Sequence, residues 1–202
     1  MSAMRGEPES PSLTPRQKLA LTYKKLTPEA AIAMEDAHFD GAFFLEHDIS
    51  SDLIRAAKLT PLALKQRGLE SAFDLKRLGF DALDLVDASF CASSVAAFGS
   101  DDVLAAFLGA PGDAVCLAGS PAVVQLGVTV ESLLSTCAGA PAEAKAVLLQ
   151  CKPRAQALVG VDIGVLLDTG LRKASLVELG YTEKLLTEQC GATRDHLLTL
   201  GF

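Results

Sequence analysis

The chain has no tryptophan, only 5% aromatic residues, and fewer basic than acidic side chains, 18 Lys and Arg against 25 Asp and Glu. With so few rings, the core has to be built from leucine, alanine and valine. The net charge of −7 and pI near 4.9 argue against a nucleic-acid binder, which needs a basic face to displace counterions. They argue equally against docking on anionic lipid. Five cysteines (Cys91, Cys116, Cys137, Cys151, Cys190) lie far apart with no CxxC pair. An odd count without a secretory signal reads as reduced thiols in a cytoplasmic protein. The N-terminus, MSAMRGEPESPSLTPRQK, has acids and prolines where a signal peptide needs an apolar run. The most apolar stretch, Val103 to Val130, is broken by Gly109, Pro111, Gly112, Asp113, Gly119 and Pro121. A membrane span needs about 20 uninterrupted apolar residues, so a soluble protein is expected.

What is present is rhythm. A glycine returns about every ten residues, at Gly68, Gly79, Gly99, Gly109, Gly119, Gly127, Gly139, Gly160, Gly170, Gly180, Gly191 and Gly201. Near Ser89 and Gln150 a beat is skipped, and around Gly127 the spacing is 8 and then 12 residues. Each glycine is usually followed by an apolar residue and then by Ser, Thr, Asp or Pro. Glycine tolerates the left-handed conformation that ends a helix. The apolar residue folds back on the helix just finished, and the Ser, Thr or Asp caps the next one. In Gly180-Tyr181-Thr182, Tyr181 and Leu186 hold the two positions of a hydrophobic staple around the Thr182 cap. The same spacing recurs at Phe39–Asp40–Phe44, Ile49–Ser50–Ile54, Leu59–Thr60–Leu64, Phe80–Asp81–Leu85, Val128–Thr129–Leu133, Val161–Asp162–Leu166 and Ala192–Thr193–Leu197. Pro28 and Pro61 follow Thr27 and Thr60 at the first helical position, where proline loses no hydrogen bond. Upstream of Gly68, Lys58 and Asp48 stand where the glycine would be.

Each unit leaves room for roughly two helical turns, too short to be stable alone. The units therefore have to stack on one another. The expected fold class is all-α, an array of short helices stacked as a compact or curved α-solenoid. Residues 1–14 are expected to be a disordered tail, and 15–202 a single helical-repeat domain. Within it, 23–94 and 151–202 are regular units and 95–150 an irregular apolar middle, packed inside the array or meeting a partner. The basic segment from Pro15 to Lys25 is expected to cap the first unit. The end at Leu200-Gly201-Phe202 falls mid-motif, as if the last unit were truncated or completed by another chain.

The beat, in LKRLGFDALDL, LVELGYTEKLL and LLTLGF, resembles the short leucine-rich helical arrays of microbial and protist proteins with the pattern LxxLGFsxeeL. The resemblance covers roughly residues 48–202, and the middle departs from it. It implies a scaffold or binding module and transfers no catalytic residue.

Chemistry-bearing motifs are sparse. His38 and His47, near Asp36, Asp40, Glu46 and Asp48, are the one group that stacking could bring together around a divalent metal, and a solvated face is the simpler reading. His196 beside Asp195 reads as exposed. Only Cys151, beside Lys152 and Arg154, has neighbours that lower a thiol pKa, though an inert thiol is the plainer reading. Asp101 with Asp102, or Asp84 with Asp87, are carboxylate pairs that more simply start helices. LAGSPAVVQLG lacks GxGxxG and GK[ST], so Gly119-Ser120-Pro121 reads as another stop, cap and first-turn proline. No catalytic residue, metal or cofactor is expected. The expected function is a non-enzymatic scaffold, self-associating as a homodimer. One alternative is an adaptor gripping a basic peptide or helix in a solenoid groove. Another is an enzyme with an α/β middle, strands falling within 113–130.

Overall fold

The computed structural model describes residues 27–36, 39–151 and 157–202, and every regular element among them is helical. Fifteen α-helices follow in order. The first five are α1 (Pro28–Asp36), α2 (Gly41–Glu46), α3 (Ser51–Ala56), α4 (Pro61–Gln66) and α5 (Ala72–Arg77). After a single 3₁₀ turn, Asp84–Val86, come α6 (Ala88–Phe98), α7 (Ser100–Phe107), α8 (Pro111–Leu117), α9 (Pro121–Leu126), α10 (Val130–Thr136) and α11 (Pro141–Gln150). Then follow α12 (Ile163–Asp168), α13 (Lys173–Glu178), α14 (Glu183–Cys190) and α15 (Arg194–Leu200). The tail at 1–14, the capping segment Pro15–Lys25 and His38 lie outside the described residues.

The punctuation works as local hydrogen bonding. Asp40, Ser50, Thr60, Thr129, Thr182 and Thr193 each accept a backbone N–H three residues on. At the other ends, the N–H of Ile49, Leu59, Leu69, Phe80, Val128, Tyr181 and Phe202 returns to the carbonyl five residues back. That is the Schellman closure, and its apolar residue is buried at all of these except half-buried Phe202. Asp48 and Lys58 adopt φ of 48° and 56°, the left-handed region that glycine occupies in later units, such as φ 88° at Gly180. Gly109 alone among the twelve rhythmic glycines is not left-handed. Its N–H goes instead to Asp113 Oδ2, which also holds the Ala110 N–H and so starts α8.

Three such units close one coil. Contacts between separate units recur at the third element along, the 3₁₀ turn counted as one: α4 packs on α6, α5 on α7, α6 on α9, α8 on α11 and α12 on α15. Cross-coil hydrogen bonds keep the same interval. Ser51 Oγ donates to the Gly79 carbonyl, 28 residues away, and Lys76 Nζ to that of Ala106, 30 away. Arg67 donates to the Met34 and Glu35 carbonyls, 33 and 32 away. Arg55 reaches Asp84 at 29 and Lys145 reaches Glu178 at 33. The backbone N–H of Gly139 donates to the Asp168 carbonyl at 2.7 Å. The coils are thus α1–α3; α4, α5 and the 3₁₀ turn; α6–α8; α9–α11; residues 157–160 with α12 and α13; and α14–α15. Three sides result: α1, α4, α6, α9 and α14 on the first; α2, α5, α7, α10, α12 and α15 on the second; α3, the 3₁₀ turn, α8, α11 and α13 on the third. Because closure needs about thirty residues rather than ten, the 8- and 12-residue spacings around Gly127 offset each other within one coil.

Four sequence expectations change. Units stack on the third unit along as well as on their neighbours. Residues 113–130 contain no strand but α8 and α9, which removes the α/β middle. LGFDALDLV, one of the copies that carry the motif, forms only the 3₁₀ turn, because Asp87 six residues after Asp81 accepts the N–H groups of Ser89 and Phe90 and starts α6 there. Finally, the scarce rings are core residues. Phe43, Phe44, Phe80, Phe107 and Tyr181 are among the largest fully buried side chains, spaced through one continuous cluster from Ala30 to Leu200 that is otherwise mostly Leu, Ala and Val.

Candidate functional site

The side chains with chemical potential are mostly tied to backbone. Asp102 Oδ2 accepts the Ala72 N–H at 2.7 Å, so a carboxylate on α7 caps α5 in the preceding coil. Asp101, its neighbour, is exposed. Asp84 takes two bonds from the Arg55 guanidinium and one from the Asp81 N–H, while Asp87 caps α6. Neither carboxylate pair is therefore presented as a pair. Arg55 also lies 5.0 Å over the Phe80 ring. Lys65 sits over Phe98 and Lys173 over Phe202, again from one coil to the next.

The expected metal group is only partly described. Asp40 is spent on the Phe43 N–H at 2.8 Å, Asp48 is the left-handed stop, and the His47 ring lies 4.6 Å from that of Phe43. Among the described residues no three His, Cys, Asp or Glu side chains group as a metal site. His196 is half-buried rather than fully exposed. Its Nδ1 accepts the Thr193 N–H while its own N–H donates to Thr193 Oγ1, both at 3.4 Å, a reciprocal cap on α15.

The thiols are free and mostly sequestered: Cys91, Cys137 and Cys190 are buried, Cys116 and Cys151 half-buried. Burial pushes the Cys91, Cys137, Cys151 and Cys190 pKa values up. At Cys151 burial outweighs the lowering by the Gly119 N–H, so the one cysteine with basic sequence neighbours is shifted away from activation. At Gly119-Ser120-Pro121 the proline opens α9, but Ser120 Oγ donates back to the Leu117 carbonyl at 2.7 Å rather than capping.

A cleft of about 480 Å³ opens where α3 hands over to α4, between Arg55, Lys58, Thr60, Asp87 and Ser93. Of its two cations Arg55 is paired with Asp84, and Lys58 shares the lining with the carboxylate of Asp87. The surface shows more character in its apolar residues. Ile32, Leu62, Phe73, Leu83, Val86, Val124, Val159, Val177 and Leu198 stand exposed. No described helix is long and apolar enough to cross a membrane; α6 and α7 reach that length only together, bent by 116°. Comparisons with family models, curated proteins and solved structures find no match.

Two positions matter to this arrangement in ways the sequence does not show. Gly41 opens α2 against the second coil: its N–H donates to the Arg67 carbonyl, and a Cβ there would meet Leu69 N at 2.7 Å. Its signal in the sequence is a glycine out of beat, directly after the Asp40 cap. Asp102 has none, because the helix it caps is thirty residues upstream.

Proposed function

We propose that this chain is a non-enzymatic helical-repeat scaffold that acts by associating with protein, first of all with itself. The observation carrying the reading is the exposure of nine large apolar side chains among the described residues, on an array where Asp102, His196, Arg55 and Asp84 are engaged in capping and coil-to-coil bonds. Exposed apolar surface marks association where it is contiguous, as a row along one side of the array would be, and closed two-fold dimers are the commonest outcome. The proposal includes a single repeat domain over 15–202, a cytoplasmic location in keeping with five unpaired thiols, and kinship with LxxLGF-type arrays. Sedimentation at micromolar concentration tests it: a mass above the 21.1 kDa of one chain is expected, and a clean monomer refutes it.

An adaptor for a basic peptide or helix is the second reading, favoured by the net charge of −7. It requires binding of a synthetic lysine-rich helix that is lost as salt screens the attraction. Salt-insensitive binding, or none, removes it.

A further inference from the structure

We infer that the first side of the coil stack, centred on α6 and α9, is the face by which one copy of this chain binds another. The inference rests on the self-association reading and specifies where it happens. α6 and α9, ASFCASSVAAF and PAVVQL, contain no charged residue at all, in a chain that is 21% charged. On α4 the one cation, Lys65, is turned aside: its Nζ donates to the Glu70 carbonyl and lies over the Phe98 ring. What this side shows to solvent is Leu62 and Gln66 on α4, Ala88, Ser89, Ala92 and Ala96 on α6, and Pro121, Val124 and Gln125 on α9, all uncharged. The coil interval lines these up. Leu62 is 41% exposed and Val124 84%, two coils apart, and the row extends to Ile32 at 61% and Val159 at 65%.

Charge selects the occupant. In a protein of net charge −7, pressing two copies together costs like-charge repulsion wherever acids stand out, as Asp52 and Asp101 do on the other sides. The α4–α6–α9 strip is free of that penalty against itself. Within α4, α6 and α9 a basic peptide would find no carboxylate, the nearest exposed ones being Asp87 at the start of α6 and Glu35 on α1, and an anionic membrane only the turned-aside Lys65. Size sets the strength. Coils about 8–10 Å apart give a strip of about 35–40 Å from Ile32 to Val159. With helices about 9–16 Å long the strip covers about 300–600 Å² per copy. Two such faces bury about 600–1,200 Å², at or below the lower edge of stable interfaces, so the dimer should be weak, reversible and concentration-dependent.

The test is sedimentation velocity of the full chain across a concentration range, for wild type, Val124→Glu, Leu62→Glu and Val177→Glu. Val177 lies exposed on the third side and is the control. Val124 and Leu62 stand in solvent, so circular dichroism should confirm unchanged helix content. The expected result is a dimer at high concentration for wild type and Val177→Glu, with the midpoint moved up about tenfold or more in the other two. Wild-type dimerisation unaltered by Val124→Glu and Leu62→Glu overturns the assignment of this side while leaving self-association standing. A wild type that stays monomeric overturns both.

Discussion

Gly41→Ala should be among the most damaging single-methyl changes in this protein, and the reason is geometric. A Cβ at position 41 would sit 2.7 Å from Leu69 N, 2.8 Å from Gly68 C and 2.9 Å from Gly68 O. Comfortable carbon contacts lie at about 3.5–4.0 Å, and all three neighbours are backbone, which cannot rotate aside. The first and second coils would have to part by the better part of an ångström. That strains the bond from the Gly41 N–H to the Arg67 carbonyl and those from Arg67 to Met34 and Glu35. Overpacking of this kind costs about 1–3 kcal/mol, and a weakened buried hydrogen bond adds about 1 kcal/mol. Alanine's better helix propensity returns at most about 1 kcal/mol, so a net loss of about 2 kcal/mol is expected. Gly112→Ala is the matched control. Gly112 is also near a helix start, has no atom within 4 Å of a would-be Cβ and is not left-handed. There the same methyl should stabilise by about 0.4–1 kcal/mol. Urea unfolding followed at 222 nm reads both variants, and amide exchange over residues 39–79 localises the loss. A Gly41→Ala protein as stable as wild type would refute the close approach of the first two coils.

Three further perturbations follow from the same structure. Lys58→Gly and Asp48→Gly should each stabilise by about 0.5–1 kcal/mol, since strain of about 1–2 kcal/mol in the left-handed region outweighs glycine's entropy; a lowered urea midpoint in both would contradict the left-handed assignment. Native protein should offer Cys116 and Cys151 to a thiol reagent, and Cys91, Cys137 and Cys190 only on unfolding. Burial raises the thiol pKa values of Cys91, Cys137 and Cys190 in the folded state, so unfolded thiols ionise first. Their contribution to stability is full below the ordinary thiol range and declines as pH rises above about 8.5. Cys91→Ala with Cys137→Ala should flatten that decline in urea midpoints, and an unchanged slope would contradict it.

The unit was legible in the sequence because its physics is local. Thr182 finds its N–H three residues on and Tyr181 its carbonyl five residues back, so a window of ten residues contains the whole device. Even the left-handed Asp48 and Lys58 announce themselves by position. The coil was not legible, because its bonds run from Arg67 to Met34, from Asp102 to Ala72 and from Lys145 to Glu178, across about thirty residues and through side chains that look like ordinary surface charge. The LGFDALDLV unit misled for a related reason: two competing caps, Asp81 and Asp87, stand six residues apart, and the choice falls to Asp87 while Asp84 is drawn to Arg55 in the coil before. Of the candidate site, the apolar middle was visible as composition. That α6 and α9 share one side with Leu62 was not, since only the three-unit coil brings them into line.

The closure of three units into one coil is most directly tested by a distance between spin labels at Ala42→Cys on α2 and Ala105→Cys on α7, both exposed on the second side. Cys116→Ser and Cys151→Ser remove the native thiols within reach, and dilution with unlabelled chain suppresses distances between copies. Two coil steps separate the sites, so a helix-to-helix distance of about 16–20 Å is predicted. A linear array, each unit leaning only on the one before, would place them about 50–60 Å apart, and a distance in that range would contradict the coil.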